Sequence, residues 1–324
     1  ADLQVMRIVD AGGEVPEPRV TREFDASDIS DRPFGWNLPN WLLRREMVAH
    51  LESLPSVTFR PGTGTTTLFT RESEARVGLS DGTRVRCRLV IAADGRNSPI
   101  REAAGVEVKT TRYGQKALAF AVTHPIPHEN VSTEIHRSGG PFTLVPLPDH
   151  EGRPSSAIVW MEDGPEVARL AALPVEDFEA EMNIRSCHLF GPLTLASRRT
   201  VWPIISQVAE RMCAERVALV AEAAHVVPPI GAQGLNMSLG DMRVLLELAE
   251  AAPERLGDRA MLETYHRRRH LEVRARVTGI DLLNRASMMR AQPLRDVRAQ
   301  ALDAIYSLAP VRKTLMQMGL GARG

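Results

Sequence analysis

A carboxylate at the end of a short apolar run, followed by a Pro/Gly turn and a helical pattern, is the part of this chain best suited to chemistry. It reads Val217-Ala-Leu-Val-Ala-Glu-Ala-Ala-His-Val-Val-Pro-Pro-Ile-Gly-Ala-Gln-Gly-Leu-Asn-Met-Ser-Leu-Gly-Asp241. Val217 to Val220 have the texture of a buried strand, and Glu222 just beyond can accept hydrogen bonds from sugar or polyol hydroxyls. Pro228 and Pro229 stiffen the turn, while Gly231 and Gly234 let the backbone approach a flat ligand. The helix predicted from about Gly234 to Glu250 aims unpaired N–H groups and its positive dipole end at that turn, which suits negative charge on one ligand edge.

A second segment, Arg88-Leu-Val-Ile-Ala-Ala-Asp-Gly-Arg-Asn-Ser-Pro-Ile-Arg101, is a buried-strand run ending in Asp94-Gly95. Asp94 falls at the carboxyl end of an expected parallel strand, where open α/β sheets place their ligands, and Gly95 permits the turn. A third segment, Phe34-Gly-Trp-Asn-Leu-Pro-Asn-Trp-Leu-Leu-Arg-Arg-Glu-Met-Val-Ala-His-Leu51, has Leu43, Met47, Val48 and Leu51 at helical spacing.

Together these segments resemble the FAD-dependent aromatic-ring monooxygenases, and among them the ubiquinone-biosynthesis hydroxylases. That family carries a strand, Gly-Asp-Ala-Ala-His, a Pro-x-x-Gly-x-Gly-type turn and Leu-Asn before a helix with an Asp. Here Ala221 stands for the usual Gly and Glu222 for the usual Asp, and the resemblance runs from about Met6 to about Leu320. It implies FAD as cofactor, NADH or NADPH as reductant, and an aromatic or prenylated small-molecule substrate. It also implies cofactor contacts from Asp94, Gly95, Arg96, Ser98, Glu222, Pro229, Gly231, Gly234, Leu235 and Asn236, with Arg44, or alternatively Arg45, on the ribityl chain. His225 is a candidate base, although the resembled motif gives it a mainly structural place. The family's opening Gly-x-Gly-x-x-Gly strand–turn–helix is not found; Gly12-Gly13 reads as a hairpin turn between Met6–Asp10 and Val20–Phe24. Roughly the first 70 to 80 residues of the family fold are therefore expected to be missing, from the usual extent of such a unit.

The elements that must hold these segments are read from texture. Residues 1–111 are expected to form the first part of a Rossmann-like α/β FAD-binding domain, and 207–324 its second part with C-terminal helices. Residues 112–206 read as an inserted antiparallel sheet, the substrate domain, from short β-rich runs at Lys116–Thr123, Val131–His136, Phe142–Leu147, Ser155–Trp160 and Thr200–Ile205. A helix is predicted over Val175–Ser186, and others over Ser238–Glu250, Arg259–Met289 and Leu294–Leu308. The resemblance makes the inserted sheet the floor of a substrate pocket, so Phe142, Leu144, Trp160, Trp202 and Ile204 are the candidates to line it, with core packing as the alternative.

Composition narrows the class. Forty Lys and Arg balance forty Asp and Glu, which gives no electrostatic reason to expect nucleic acid as partner. Cys87, Cys187 and Cys213 lie far apart without a Cys-x-x-Cys, as expected of reduced thiols in a cytoplasmic protein. His266 and His270 have metal-compatible spacing, but three arginines separate them and no Glu stands in the required place, so a solvated basic face is expected and no metal. No hydrolase motif is present. The expected function is hydroxylation of a prenylated phenol of ubiquinone biosynthesis. The alternatives are a soluble aromatic substrate, or a flavin-free relative that binds lipid or assists assembly. Arg267, Arg268, Arg269, Arg274 and Arg276, with Val311-Arg-Lys-Thr-Leu-Met-Gln-Met318, offer a means of peripheral membrane or biosynthetic-complex association, against which a packed helix with a merely solvated basic face is the favoured reading.

Overall fold

The structure is a computed structural model, and it describes residues 1–12 and 16–289 with a few positions between 300 and 316. Its helices are α1 (Asn40–Ser53), α2 (Pro99–Ala103), α3 (Gly164–Ala172), α4 (Val175–Arg185), α5 (Gln233–Ala251) and α6 (Arg259–Ser287). The chain divides into two units. One contains residues 1–54, 114–204 and 284–324, the other 55–113 and 205–283. Residues 1–54 thus cluster with 114–204, the region of the inserted sheet. The cause is strand pairing: Val5–Gly12 lies parallel to Val131–His136, with Val9 opposite Ile135.

The first unit is built on a sheet with strand order Val108–Thr123, Arg153–Asp163, Pro141–His150, Val131–His136, Val5–Gly12, Glu17–Asp25. The hairpin read at Gly12-Gly13 is formed by the last two, with Met6 opposite Phe24 and Asp10 opposite Val20. Registered pairing makes one apolar row from Val9 through Ile135, Phe142 and Trp160 to Leu118. None of these five is more than 4% exposed. The row is covered by Val167 and Leu170 of α3 and by Phe178 and Met182 of α4. Trp160 meets Phe142 edge-on at 5.4 Å and Phe178 at 5.9 Å.

The second unit has a parallel pair, Val90–Ala92 with Val217–Leu219, in the register Val217 to Val90. A separate antiparallel sheet joins Thr65–Thr70, Ala75–Leu79 and Arg84–Cys87. The parallel pair shares one apolar cluster with Met237, Val244 and Leu245 of α5 and Leu262, Tyr265 and Val273 of α6. The spacing of α5's inward residues, Met237, Asp241, Val244 and Leu245, is that of one helical face. Its opposite face leaves Leu235, Leu239, Met242 and Leu246 between 43% and 60% exposed.

Candidate functional site

Every expected cofactor contact except Arg44 falls in the second unit, on two loops at the carboxyl ends of its parallel strands. The first loop begins at Asp94. Its carboxylate accepts hydrogen bonds from the Ser98 hydroxyl at 2.5 Å and the Ile100 N–H at 3.1 Å. Ser98 is the N-cap of α2, accepting from the Arg101 N–H, and Pro99 opens the helix. Gly95 has φ +88°, a conformation that a side chain disfavours. Ser98 is wholly buried, so its expected role against a ligand becomes a role in shaping the turn.

The second loop leaves the strand at Val220. Ala221 has φ +53°, the left-handed value for which the resembled family uses Gly. Glu222 comes next on a short 3-10 turn and points outward, with its side chain 52% exposed and Arg96 of the first loop at 3.3 Å. Gly231 and Ala232 are both left-handed, at φ +66° and +51°, and deliver the chain to the start of α5. No side chain caps that helix start. Pro229, Gly231, Gly234, Leu235 and Asn236 line the turn and the first helical residues, and all five are exposed.

Three features of these loops fit FAD. Glu222 offers an outward carboxylate of the kind that accepts from ribityl or ribose hydroxyls. A Cβ added at Gly95 or Gly234 would meet nothing within 4 Å, and one at Gly231 only the far end of Gln233. The start of α5 is positive and uncapped, as a charged flavin edge requires.

Arg101 has no signal in the sequence, yet it ties the loops together. It is 7% exposed, and donates to the carbonyl of Ala223 at 2.9 Å and to that of Arg96 at 3.1 Å. Asp241 is likewise internal, and His225 donates to it at 2.7 Å with both side chains at most 1% exposed. A His held this way presents no exposed ring edge to solvent. Tyr265 donates to the carbonyl of Leu219, and burial pushes its phenol well above the usual range.

The family model described as "FAD binding domain" matches residues 21–279. Ubiquinone hydroxylase UbiL of Rhodospirillum rubrum is 33% identical over 293 residues, covering 89% of this chain and 67% of that protein. The 3-demethoxyubiquinol 3-hydroxylase of Escherichia coli is 25% identical over 301 residues, covering 92% and 76%. Among solved structures, a probable FAD-dependent monooxygenase from Pseudomonas aeruginosa aligns with TM-score 0.76 at 21% identity, over 92% of this chain and 81% of that one. The chain belongs to the FAD-binding domain family. Within it, the chain is an FAD-dependent monooxygenase of the aromatic-hydroxylase type, with the α/β flavin fold and an antiparallel sheet insert.

Arg44 lies on the exposed side of α1, in the other unit from the two loops. Its neighbour Arg45 pairs with Glu46 and sits over the Trp41 ring at 5.4 Å. The expected pocket residues separate by burial. Phe142, Leu144 and Trp160 are core of the first unit, and Phe142 and Trp160 lie in the row under α3 and α4; all three are therefore packing residues. Ile204 is 5% exposed and Trp202 53%. The solvated basic face expected on α6 holds for Arg267 and Arg274. Arg268 pairs with Glu247, Arg276 is half-buried against Glu272 and Gln233, and Arg269 is 1% exposed. Among the described residues no cluster could hold a metal ion and no helix is long and apolar enough to cross a membrane. The helix expected over 294–308 and the stretch 311–318 fall largely outside the described residues.

Proposed function

We propose that this chain hydroxylates a phenolic ring bearing a prenyl tail, of the kind processed in ubiquinone biosynthesis. In the overall reaction one oxygen atom of O₂ enters the ring and the other leaves as water, with NADH or NADPH supplying the electron pair. Bound FAD would accept that pair and activate O₂. The protein's part is to bind, orient and exclude water. Glu222 accepts from the hydroxyls of the cofactor's sugar chain, and Arg96 holds that carboxylate in place. Gly231 and Gly234 admit the flat ring, and the backbone of Leu235 and Asn236 at the start of α5 faces its anionic edge. Asp94, Gly95, Ser98 and Pro229 shape the two loops, and a place for Arg44 on the ribityl chain rests on the resemblance alone. The names of the relatives support the substrate class, and the observation that carries the reading is an outward Glu222 beside an uncapped helix start and open glycines.

A lipid-soluble substrate must be met at a membrane surface or handed over by a partner. Surface contact would rest on Arg267, Arg268 and Arg274, because Arg269 is internal. Co-sedimentation with anionic liposomes that high salt reverses is the expected sign. For the main reading, the test is FAD titration followed by O₂-dependent NADH or NADPH oxidation with a phenol carrying a short prenyl tail. The expected result is bound flavin and a hydroxylated product that gains one oxygen atom from ¹⁸O₂. Flavin uptake with product only from tail-less phenols would move the substrate to a soluble aromatic. Protein that takes up no flavin would favour the flavin-free relative.

A further inference from the structure

Asp241, on the inward face of α5, is wholly buried and gathers three donors. Its Oδ2 accepts from the Ala221 N–H at 3.1 Å and from His225 Nε2 at 2.7 Å, and its Oδ1 accepts from Arg269 Nε at 2.8 Å. Arg269 reaches it from α6 by crossing α5 at Gly240, where an added Cβ would lie 3.1 Å from both terminal guanidinium nitrogens. The same side chain donates to the carbonyl of Met237 at 3.1 Å and pairs with Glu272. Removing an arginine from water is costly, and an apolar residue of similar volume often stabilises a fold as well or better. This guanidinium, admitted by a glycine notch, ends on the carboxylate that holds Ala221, the residue whose left-handed backbone turns Glu222 outward.

We propose that Arg269 is a positioning residue of the flavin loop. By fixing Asp241 it holds the Ala221 N–H, and so maintains the left-handed turn that presents Glu222. The proposal rests on the reading of Glu222 given above. It assigns Gly240 a purpose as well: a Cβ there would press on the Arg269 guanidinium, which would have to give by a few tenths of an ångström.

The test uses the full chain and measures FAD affinity by flavin fluorescence quenching, thermal midpoint, and amide exchange at Ala221. Arg269→Gln is expected to weaken FAD binding about tenfold or more and to speed exchange at Ala221. Ala221→Gly in that background is expected to bring FAD affinity back to within about threefold of the parent, since glycine adopts the left-handed conformation freely. The thermal midpoint lost with Arg269 is expected to stay lost. A purely structural role would give no such selective rescue. Should Arg269→Gln fail to fold, Arg269→Lys with and without Ala221→Gly gives the same comparison. Unchanged affinity in the folded variant, or a loss that Ala221→Gly does not repair, overturns the proposal. Glu222→Ala runs in parallel. If it leaves FAD affinity unchanged, or the parent takes up no FAD, the loop assignment falls and this inference with it. If it weakens binding but rescue fails, only the role of Arg269 falls.

Discussion

Asp94 and Glu222 stand just beyond the same ends of two paired parallel strands, Val90–Ala92 and Val217–Leu219, yet their carboxylates do different things. Asp94 turns back on its own loop and accepts from Ser98 and the Ile100 N–H, so it builds the start of α2. Glu222 turns out, half exposed, and accepts two long contacts from Arg96, at 3.3 and 3.4 Å. Position in the sheet brings a carboxylate to the ligand edge; the residues on either side of it decide its use. After Asp94 come Gly95 and a Ser-Pro helix start, which need an internal acceptor. Before Glu222 comes a left-handed Ala221, which reverses the chain and frees the next side chain.

That contrast can be broken in graded steps. Gly234→Val should have the largest effect, lowering FAD affinity by about a hundredfold or more, about 2.7 kcal/mol. The flavin-free protein should keep its thermal midpoint, because a Cβ at Gly234 meets nothing within 4 Å. A variant that still binds FAD normally would remove α5's start from the site. Asp94→Ala should instead cost stability, about 1–3 kcal/mol for the donors it leaves unsatisfied, visible as a lower denaturation midpoint before any flavin is added. Glu222→Ala should invert that pattern. Affinity for FAD should fall about tenfold, about 1.4 kcal/mol, while the midpoint hardly moves, since an exposed ion pair contributes little. If both substitutions act alike, the distinction between a carboxylate that builds and one that binds is lost.

The smallest effect concerns pH and leaves both carboxylates alone. His266 Nδ1 accepts the Met212 N–H at 3.2 Å, and the His270 ring lies 4.7 Å away. Burial, and then neighbouring positive charge, holds both rings below the ordinary value of 6.5. The folded protein thus prefers neutral rings, and below pH 6.5 the unfolded chain binds more protons. This contribution to stability is complete above that pH and is lost as pH falls through the depressed folded values. Unfolding midpoints measured from about pH 7.5 down to about pH 5 should decline in the parent and decline less in His266→Gln.

Much of this was legible in the sequence, and the failures share a cause. The helices predicted at 175–186, 238–250 and 259–289 appear as α4, α5 and α6 within a few residues, because each buries a periodic apolar face. The sheet Thr65–Thr70, Ala75–Leu79 and Arg84–Cys87 gave no signal, since its first and last strands are mostly exposed and rich in Thr and Arg. The loop residues could be read from local spacing, whereas the partners that hold them could not. Arg101 meets Ala223 across 122 residues and Arg269 meets Asp241 across 28. An arginine inside an Arg-Arg-Arg run looks solvated until Gly240 is seen opposite it. The aromatic residues expected to line a pocket were strand residues of the right chemistry, but their parity in the strand set Phe142 and Trp160 toward α3 and α4.

The parallel pair also governs how the molecule comes into being. Val90–Ala92 leaves the ribosome early, and its partner Val217–Leu219 only after the whole intervening sheet has been made. Closing so large a loop is slow compared with local helix formation. Tyr265 and Arg269, which brace the finished pair and its loop, emerge later still. In the nascent chain the Asp94 turn has its donors Ser98 and Ile100 nearby, while Asp241, which holds the Ala221 N–H, meets Arg269 only once α6 has been made.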